Sequence, residues 1–261
     1  MEIKNHHIVI TGANRGIGRA VSQMCAEHGG NLHLVMRKED LELKEELLKS
    51  GAASVDIYIA DLSQPTEINQ LLKRLEPVPV DILFNNAGQL TGGLLEEQPI
   101  DQIYSMLMVN VNALIHLTHG LLPGMLRRNR GKIINNSSVS GVMHFPCATT
   151  YSASKAAVIA FTNCLRAELG ETKVTTLLLI TPGVDTRMYQ EIPKLYGKNM
   201  DLGFLSGMSP KKYAEIIREA ILEDLEILKP QGLPAAALLM AQHLPKTFEK
   251  LTQKRFKRSR V

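Results

Sequence analysis

His7-Ile-Val-Ile-Thr11 runs directly into Gly12-Ala-Asn-Arg-Gly16-Ile-Gly18, and a helical pattern follows to about His28. An apolar strand that ends in a glycine cluster and opens a helix begins a βαβ unit. Gly12, Gly16 and Gly18 let the backbone turn tightly and approach a pyrophosphate, whose negative charge the helix N-terminus favours. Asn14, Arg15 and Ile17 fill the same turn. The common G-x-G-x-x-G spacing does not fit, because Val21 stands at its last position, and no Gly-Lys-Ser/Thr follows to make a phosphate loop. Taken alone, the turn is equally that of a tight strand-to-helix connection.

Outward from this unit the alternation repeats. Apolar runs at 31–36, 55–59, 80–84, 132–136 and 174–180 are separated by helical patterns at 41–50, 67–75, 101–128 and 151–169. Strands that are near-continuous apolar runs belong in a parallel sheet covered on both faces. The fold class is therefore α/β, a doubly wound Rossmann-type sheet, with 1–261 as a single domain. Residues 226–230 offer a last strand. The glycine-bearing segment 183–208 follows the strand at 174–180 and is a candidate substrate loop, or else an ordinary surface connection. Ser209-Pro210 opens a helix with Ala214, Ile217, Ile221 and Leu225 on one stripe.

The chain of 261 residues is 44% hydrophobic and 21% charged, which excludes disordered and collagen-like classes. No apolar run reaches the roughly 18 residues of a membrane span. Cys25, Cys147 and Cys164 are odd in number and lack metal or disulfide spacing, and none of the histidines has a metal-ligand partner. With no apolar signal region before Gly12, the expectation is a cytoplasmic protein without a metal. The net charge is +4, but residues 245–261 hold seven basic residues against one acidic, so the rest of the chain carries −2. That distribution argues against a nucleic-acid partner, whose basic charge would track a face of the fold.

Two further clusters carry chemistry. About 20 residues after the glycine turn, where NAD-binding folds place an acid on the ribose, stand Met36, Arg37 and Lys38. A guanidinium at Arg37, with Arg15 in the turn, suits a 2′-phosphate and favours NADP over NAD. Tyr151 and Lys155 are four apart on a helix, so the ammonium is expected near the phenol, lowering its pKa from about 10 and making it a usable acid.

With these residues the chain resembles a short-chain dehydrogenase/reductase in its single-domain form. The matching features, in family order, are Thr11 to Gly18, Asp61-Leu62, Asn85-Asn86-Ala87-Gly88, Asn110, Ser138, Tyr151-x-x-x-Lys155 and Pro182-Gly183. The resemblance implies that Asp61 contacts adenine and that the Asn86, Ala87, Gly88 turn shapes the adenosine-ribose side. It implies that Asn110 holds a water linked to Lys155 and that Ser138, 13 residues before Tyr151, binds the substrate oxygen. Adjacent Ser137 is disfavoured by its spacing. Tyr151 would protonate a carbonyl as NADPH gives hydride, while Lys155 binds the nicotinamide ribose. Thr186 is assigned to the carboxamide, although its distance from Pro182-Gly183 is shorter than usual in the family. A C-terminal glycine pair common in the family is absent.

The function expected is NADP(H)-dependent interconversion of a small carbonyl and its alcohol. The alternatives are a 3-oxoacyl carrier-protein reductase, with Arg127, Arg128 and Arg130 at a helix end to meet an acidic partner, or a non-catalytic nucleotide-binding regulator. The helices at 107–126 and 153–169 are apolar around most of their circumference, which predicts a homodimer or homotetramer. The basic extension 233–261 is expected to pack over the cleft or an interface, with contact to an anionic membrane surface as the less favoured reading.

Overall fold

Along the first strand, β1 (His7–Thr11), Ile8 and Ile10 enter one core while Val9 enters another. That split explains the unbroken apolar runs: successive side chains point to opposite faces, and both faces are covered. The computed structural model describes residues 1–203 and 205–259. Beside β1 lie β2 (Asn31–Met36) and β3 (Ser54–Ile59) on one side, and β4 (Ile82–Asn85), β5 (Gly131–Asn136), β6 (Val174–Leu179) and β7 (Ile227–Leu228) on the other. All pair in parallel, in the order β3-β2-β1-β4-β5-β6-β7. The winding direction reverses between β1 and β4, and the crevice above that switch point is where such sheets bind ligands.

One face of the sheet is covered by α1 (Gly16–Glu27), α2 (Leu41–Lys49) and α9 (Pro210–Leu222), through Val21, Met24, Leu43, Leu47 and Ile217. The other is covered by α3 (Pro65–Leu75), α5 (Ala113–Arg128) and α6 (Thr149–Glu168), through Ile68, Leu71, Leu117, Met125 and Leu165. The caps follow local chemistry. The Asp40 carboxylate accepts from the Leu43 N–H at the start of α2, and the Ser209 hydroxyl accepts from Lys212 N–H at the start of α9.

The pattern read as one helix over 101–128 is α4 (Ile100–Leu107) and α5, joined by a π-helical turn at Met108–Asn112. By length and apolar content this helix could cross a membrane. Here its apolar side, including Leu114, Leu117 and Met125, is buried in the cores. Two of the arginines at its end make contacts within the fold. Arg130 pairs with the buried Asp81 at 2.6 Å, and Arg128 donates to the Val80 carbonyl at 2.6 Å.

The segment 183–208 is not plain loop. It contains the short helices α7 (Arg187–Gln190) and α8 (Ile192–Tyr196), and its base is closed by a bridge between Val184 and Met208. The C-terminal extension forms α10 (Leu233–His243) and α11 (Pro245–Lys254), broken at Pro245 as the sequence suggests. Leu238, Ala241 and Phe248 join a third core with Met143 and Val158, and the Phe248 ring meets Phe145 edge-on at 5.7 Å. Beyond α11, Phe256 bridges Met200, Arg255 pairs with Asp201 at 2.9 Å, and Arg258 pairs with Glu96. The tail thus packs beside the crevice rather than ending as a wholly solvated tip. Arg260 and Val261 lie outside the described residues.

Candidate active site

The crevice at the switch point is a cleft of about 920 Å³. Its floor begins at the glycine turn. Gly12 and Gly16 have φ of +66° and +55°, which L side chains rarely adopt. A Cβ on Gly18 would lie 2.2 Å from the Gly12 carbonyl oxygen, so only glycine lets α1 start this close to β1. Gly18 itself faces Gly12 and Asn86 and does not line the cleft.

Buried amides and hydroxyls tie the strand ends together beneath the cleft. The Asn86 side chain donates to the Thr11 carbonyl at 2.9 Å and accepts from the Asn136 amide at 3.0 Å. Thr181 donates to the Asn136 side-chain oxygen and shares a second hydrogen bond with Tyr213. Asn85, Asn135, Thr118 and Thr162 form a second such chain behind the first.

The structure brings the expected residues to this cleft. Asn14, Arg15 and Ile17 line it with Gly12 and Gly16; Arg37, Asp61 and Leu62 line it at the ends of β2 and β3. Asn86, Ala87 and Gly88 follow β4, and Pro182, Gly183 and Thr186 follow β6. Ser138, Tyr151 and Lys155 stand between these groups. Asn110 does not reach the cleft surface. Carried inward by the π-helical turn, it accepts from Gln89 N–H at 2.7 Å and donates to the Gln89 carbonyl and the Ser154 hydroxyl.

The two neighbouring serines separate cleanly. The Ser137 hydroxyl is buried and donates to the Lys155 carbonyl at 2.8 Å, a helix-anchoring contact. Ser138 caps a short turn by accepting from Ser140 N–H and shares a hydrogen bond with Tyr151. Thr186 caps α7 by accepting from Tyr189 N–H, and its methyl approaches Gly16, which closes the turn at that side. Cys147 is buried with Ala148, Tyr196 and Met200 and is absent from the cleft wall.

The electrostatics differ from the expectation drawn from the Tyr-x-x-x-Lys spacing. The Lys155 ammonium lies 5.7 Å from the Tyr151 ring centroid and donates to the Asn136 carbonyl at 2.8 Å. Burial pushes the Tyr151 hydroxyl up to about 12, with the Ser138 hydrogen bond acting the other way. Burial likewise lowers Lys155 to about 8. Desolvation disfavours the charged form of each group.

Sequence reasoning missed Asn136 and Thr181, which hold Lys155 and the strand ends; polar residues ending otherwise apolar strands were the available signal. Met200, from the candidate substrate loop 183–208, and Leu233 and Ala237, from the extension 233–261, also line the cleft.

The residues present fit a dinucleotide. A glycine cradle faces a helix N-terminus, and the exposed Arg15 and Arg37 have no carboxylate partner among the described residues. A model of the short-chain dehydrogenase family matches residues 6–196. A Staphylococcus saprophyticus protein described as an uncharacterized oxidoreductase is 33% identical over 86% of this chain and 93% of its own length. A short-chain dehydrogenase from Streptomyces avermitilis superposes with a TM-score of 0.79 at 23% identity, covering 97% of each chain. One from Sphingobium yanoikuyae, solved with NADPH, gives 0.78 at 25% identity over 98% of each. The chain belongs to the short-chain dehydrogenase family, whose members are oxidoreductases that bind a nicotinamide cofactor.

The depressed Lys155 pKa has a testable consequence. A lysine whose folded pKa lies below its unfolded value destabilises the fold at low pH, and that cost is relieved as pH rises from about 8 towards 10.5. Replacing Lys155 by Met is expected to raise the stability of the cofactor-free protein at pH 7 by about 1–3 kcal/mol. Calorimetric melting should show the gain shrinking as the pH approaches 10. A lower melting temperature at pH 7 contradicts the assignment.

Proposed function

We propose that the protein is an NADP(H)-dependent oxidoreductase interconverting a ketone or aldehyde and its alcohol. The observation that carries this reading is the Ser138–Tyr151 hydroxyl pair on the cleft wall, with the buried Lys155 beside it. The bound cofactor would supply hydride to the carbonyl carbon as NADPH, or accept it from the alcohol carbon as NADP⁺.

The chain's own groups do the rest. Ser138 and Tyr151 hold the carbonyl oxygen by two hydrogen bonds, which strengthen as negative charge grows there. A phenol held near 12 remains protonated at neutral pH and is available as the donor. Lys155, with its pKa near 8, readily gives up a proton and so can restore the Tyr151 hydroxyl. Asn110 keeps the π-helical turn fixed against Gln89 and Ser154 beside this pair. Gly12, Asn14, Arg15, Gly16 and Ile17 would cradle the pyrophosphate, while Asp61, Leu62 and the 86–88 turn would hold the adenosine. Pro182, Gly183 and Thr186 would hold the nicotinamide end, together with Tyr151 and Lys155 at its ribose.

Preference for NADPH is supported by Arg37 at the end of β2 and Arg15 across the turn, both exposed and able to meet a 2′-phosphate. A cytoplasmic setting suits the three free thiols. Association is supported by Ile100 and Tyr104 on α4 and Ile115 on α5, which remain exposed opposite the buried side of their helix.

Tyr151→Phe is expected to keep cofactor affinity and lose at least about 100-fold in turnover, because the donor is removed and the ring retained. Single-turnover oxidation of NADPH reads this directly, and substantial residual turnover contradicts the role. Arg37→Asp should weaken NADPH binding by about tenfold or more and leave NADH little changed, as measured by calorimetry. Equal wild-type affinities for the two cofactors overturn the preference. Light scattering at micromolar concentration should report a dimer or tetramer; a 28.9 kDa particle alone refutes association.

A further inference from the structure

The two ends of the cleft differ in chemistry. Its charged wall residues are Arg15, Arg37, Lys38, Asp61 and Lys155, all at the cofactor end or beside Tyr151. Beyond Tyr151 the wall is built from Met143, Phe145, Ile192, Tyr196, Leu202 and Ala237, and no charged side chain lines it among the described residues. The polar groups there, such as Ser206 and Tyr189, are neutral. The Tyr196 hydroxyl already donates to the Thr91 carbonyl at 3.4 Å.

This wall is braced from behind. Phe145 packs on Phe248, Tyr196 and Met200 form a small core with Ala148, and Arg255 pairs with Asp201 to hold the tail against the segment that carries Leu202. An apolar surface anchored in two side cores keeps its shape and is ready to take hydrocarbon from water.

Resting on the redox reading above, we propose that the substrate is a neutral, elongated, apolar ketone or secondary alcohol whose hydrocarbon tail lies in this distal end. A carboxylate or phosphate at the far end of the ligand would lose its water without gaining a counter-charge. Sugar acids and other charged carbonyl compounds are thereby disfavoured.

The test separates this proposal from the redox reading by measuring binding without turnover. Protein saturated with NADPH forms dead-end complexes with alcohols, and calorimetry gives the dissociation constants of 2-pentanol, 2-heptanol, 2-nonanol and 8-hydroxynonanoate. Affinity is expected to rise about three- to fourfold per methylene along the alcohol series. 8-Hydroxynonanoate should bind at least about tenfold more weakly than 2-nonanol. Ala237→Arg, which places a cation on the distal wall, should reverse that discrimination. A flat or falling alcohol series, or a carboxylate bound as well as 2-nonanol by the wild type, overturns the proposal. Failure to reduce 2-nonanone with the binding series intact supports the apolar site and removes the redox reading instead.

Discussion

The cleft depends on a chain of buried hydrogen bonds that crosses the sheet at the C-terminal ends of its strands. From the Thr11 carbonyl it passes through the Asn86 and Asn136 side chains to Thr181 and Tyr213, joining β1, β4, β5, the end of β6 and α9. Each amide both donates and accepts, so shifting one strand end leaves a buried polar group unsatisfied at a cost of about 1–3 kcal/mol. The same chain presents the Asn136 carbonyl to Lys155 and holds Asn86 under the glycine turn. Position of the cofactor floor and position of the ammonium are consequently one property.

Lys155 shows what that arrangement costs. It sits almost fully buried with a backbone carbonyl as its hydrogen-bond acceptor, and no carboxylate compensates it among the described residues. Lys132, equally buried, is treated differently: Asp224 pairs with it, and that hydrogen bond holds the Asp224 carboxyl below its usual range. One lysine is a neutralised structural strut. The other is left short of countercharge on the cleft wall beside Tyr151.

Much of this was legible in the residues. Near-continuous apolar strands marked the parallel sheet, and the glycine turn, Arg37 and the 138–155 group marked the cleft, because each is a local pattern with a local cause. What escaped reading arises from tertiary burial. The π-helical turn at Met108–Asn112 has the same apolar periodicity as the helix on either side, so nothing local distinguished Asn110 as turned inward. The close approach of Gly18 to the Gly12 carbonyl and Asn86 is likewise set by how α1 packs against the strand ends. Tyr151 and Lys155 stand together on the cleft wall, and burial, which depends on the surrounding fold rather than on their spacing, raises the one pKa and lowers the other.

The far wall of the cleft is completed by residues late in the chain. The family model ends at residue 196, yet Met200, Leu202, Leu233 and Ala237 build the far wall of the cleft from beyond that point. The strand ends and the glycine turn are joined without any of these residues. Substitutions in the last quarter of the chain can therefore reshape the far wall of the cleft while Ser138, Tyr151 and Lys155 stay untouched.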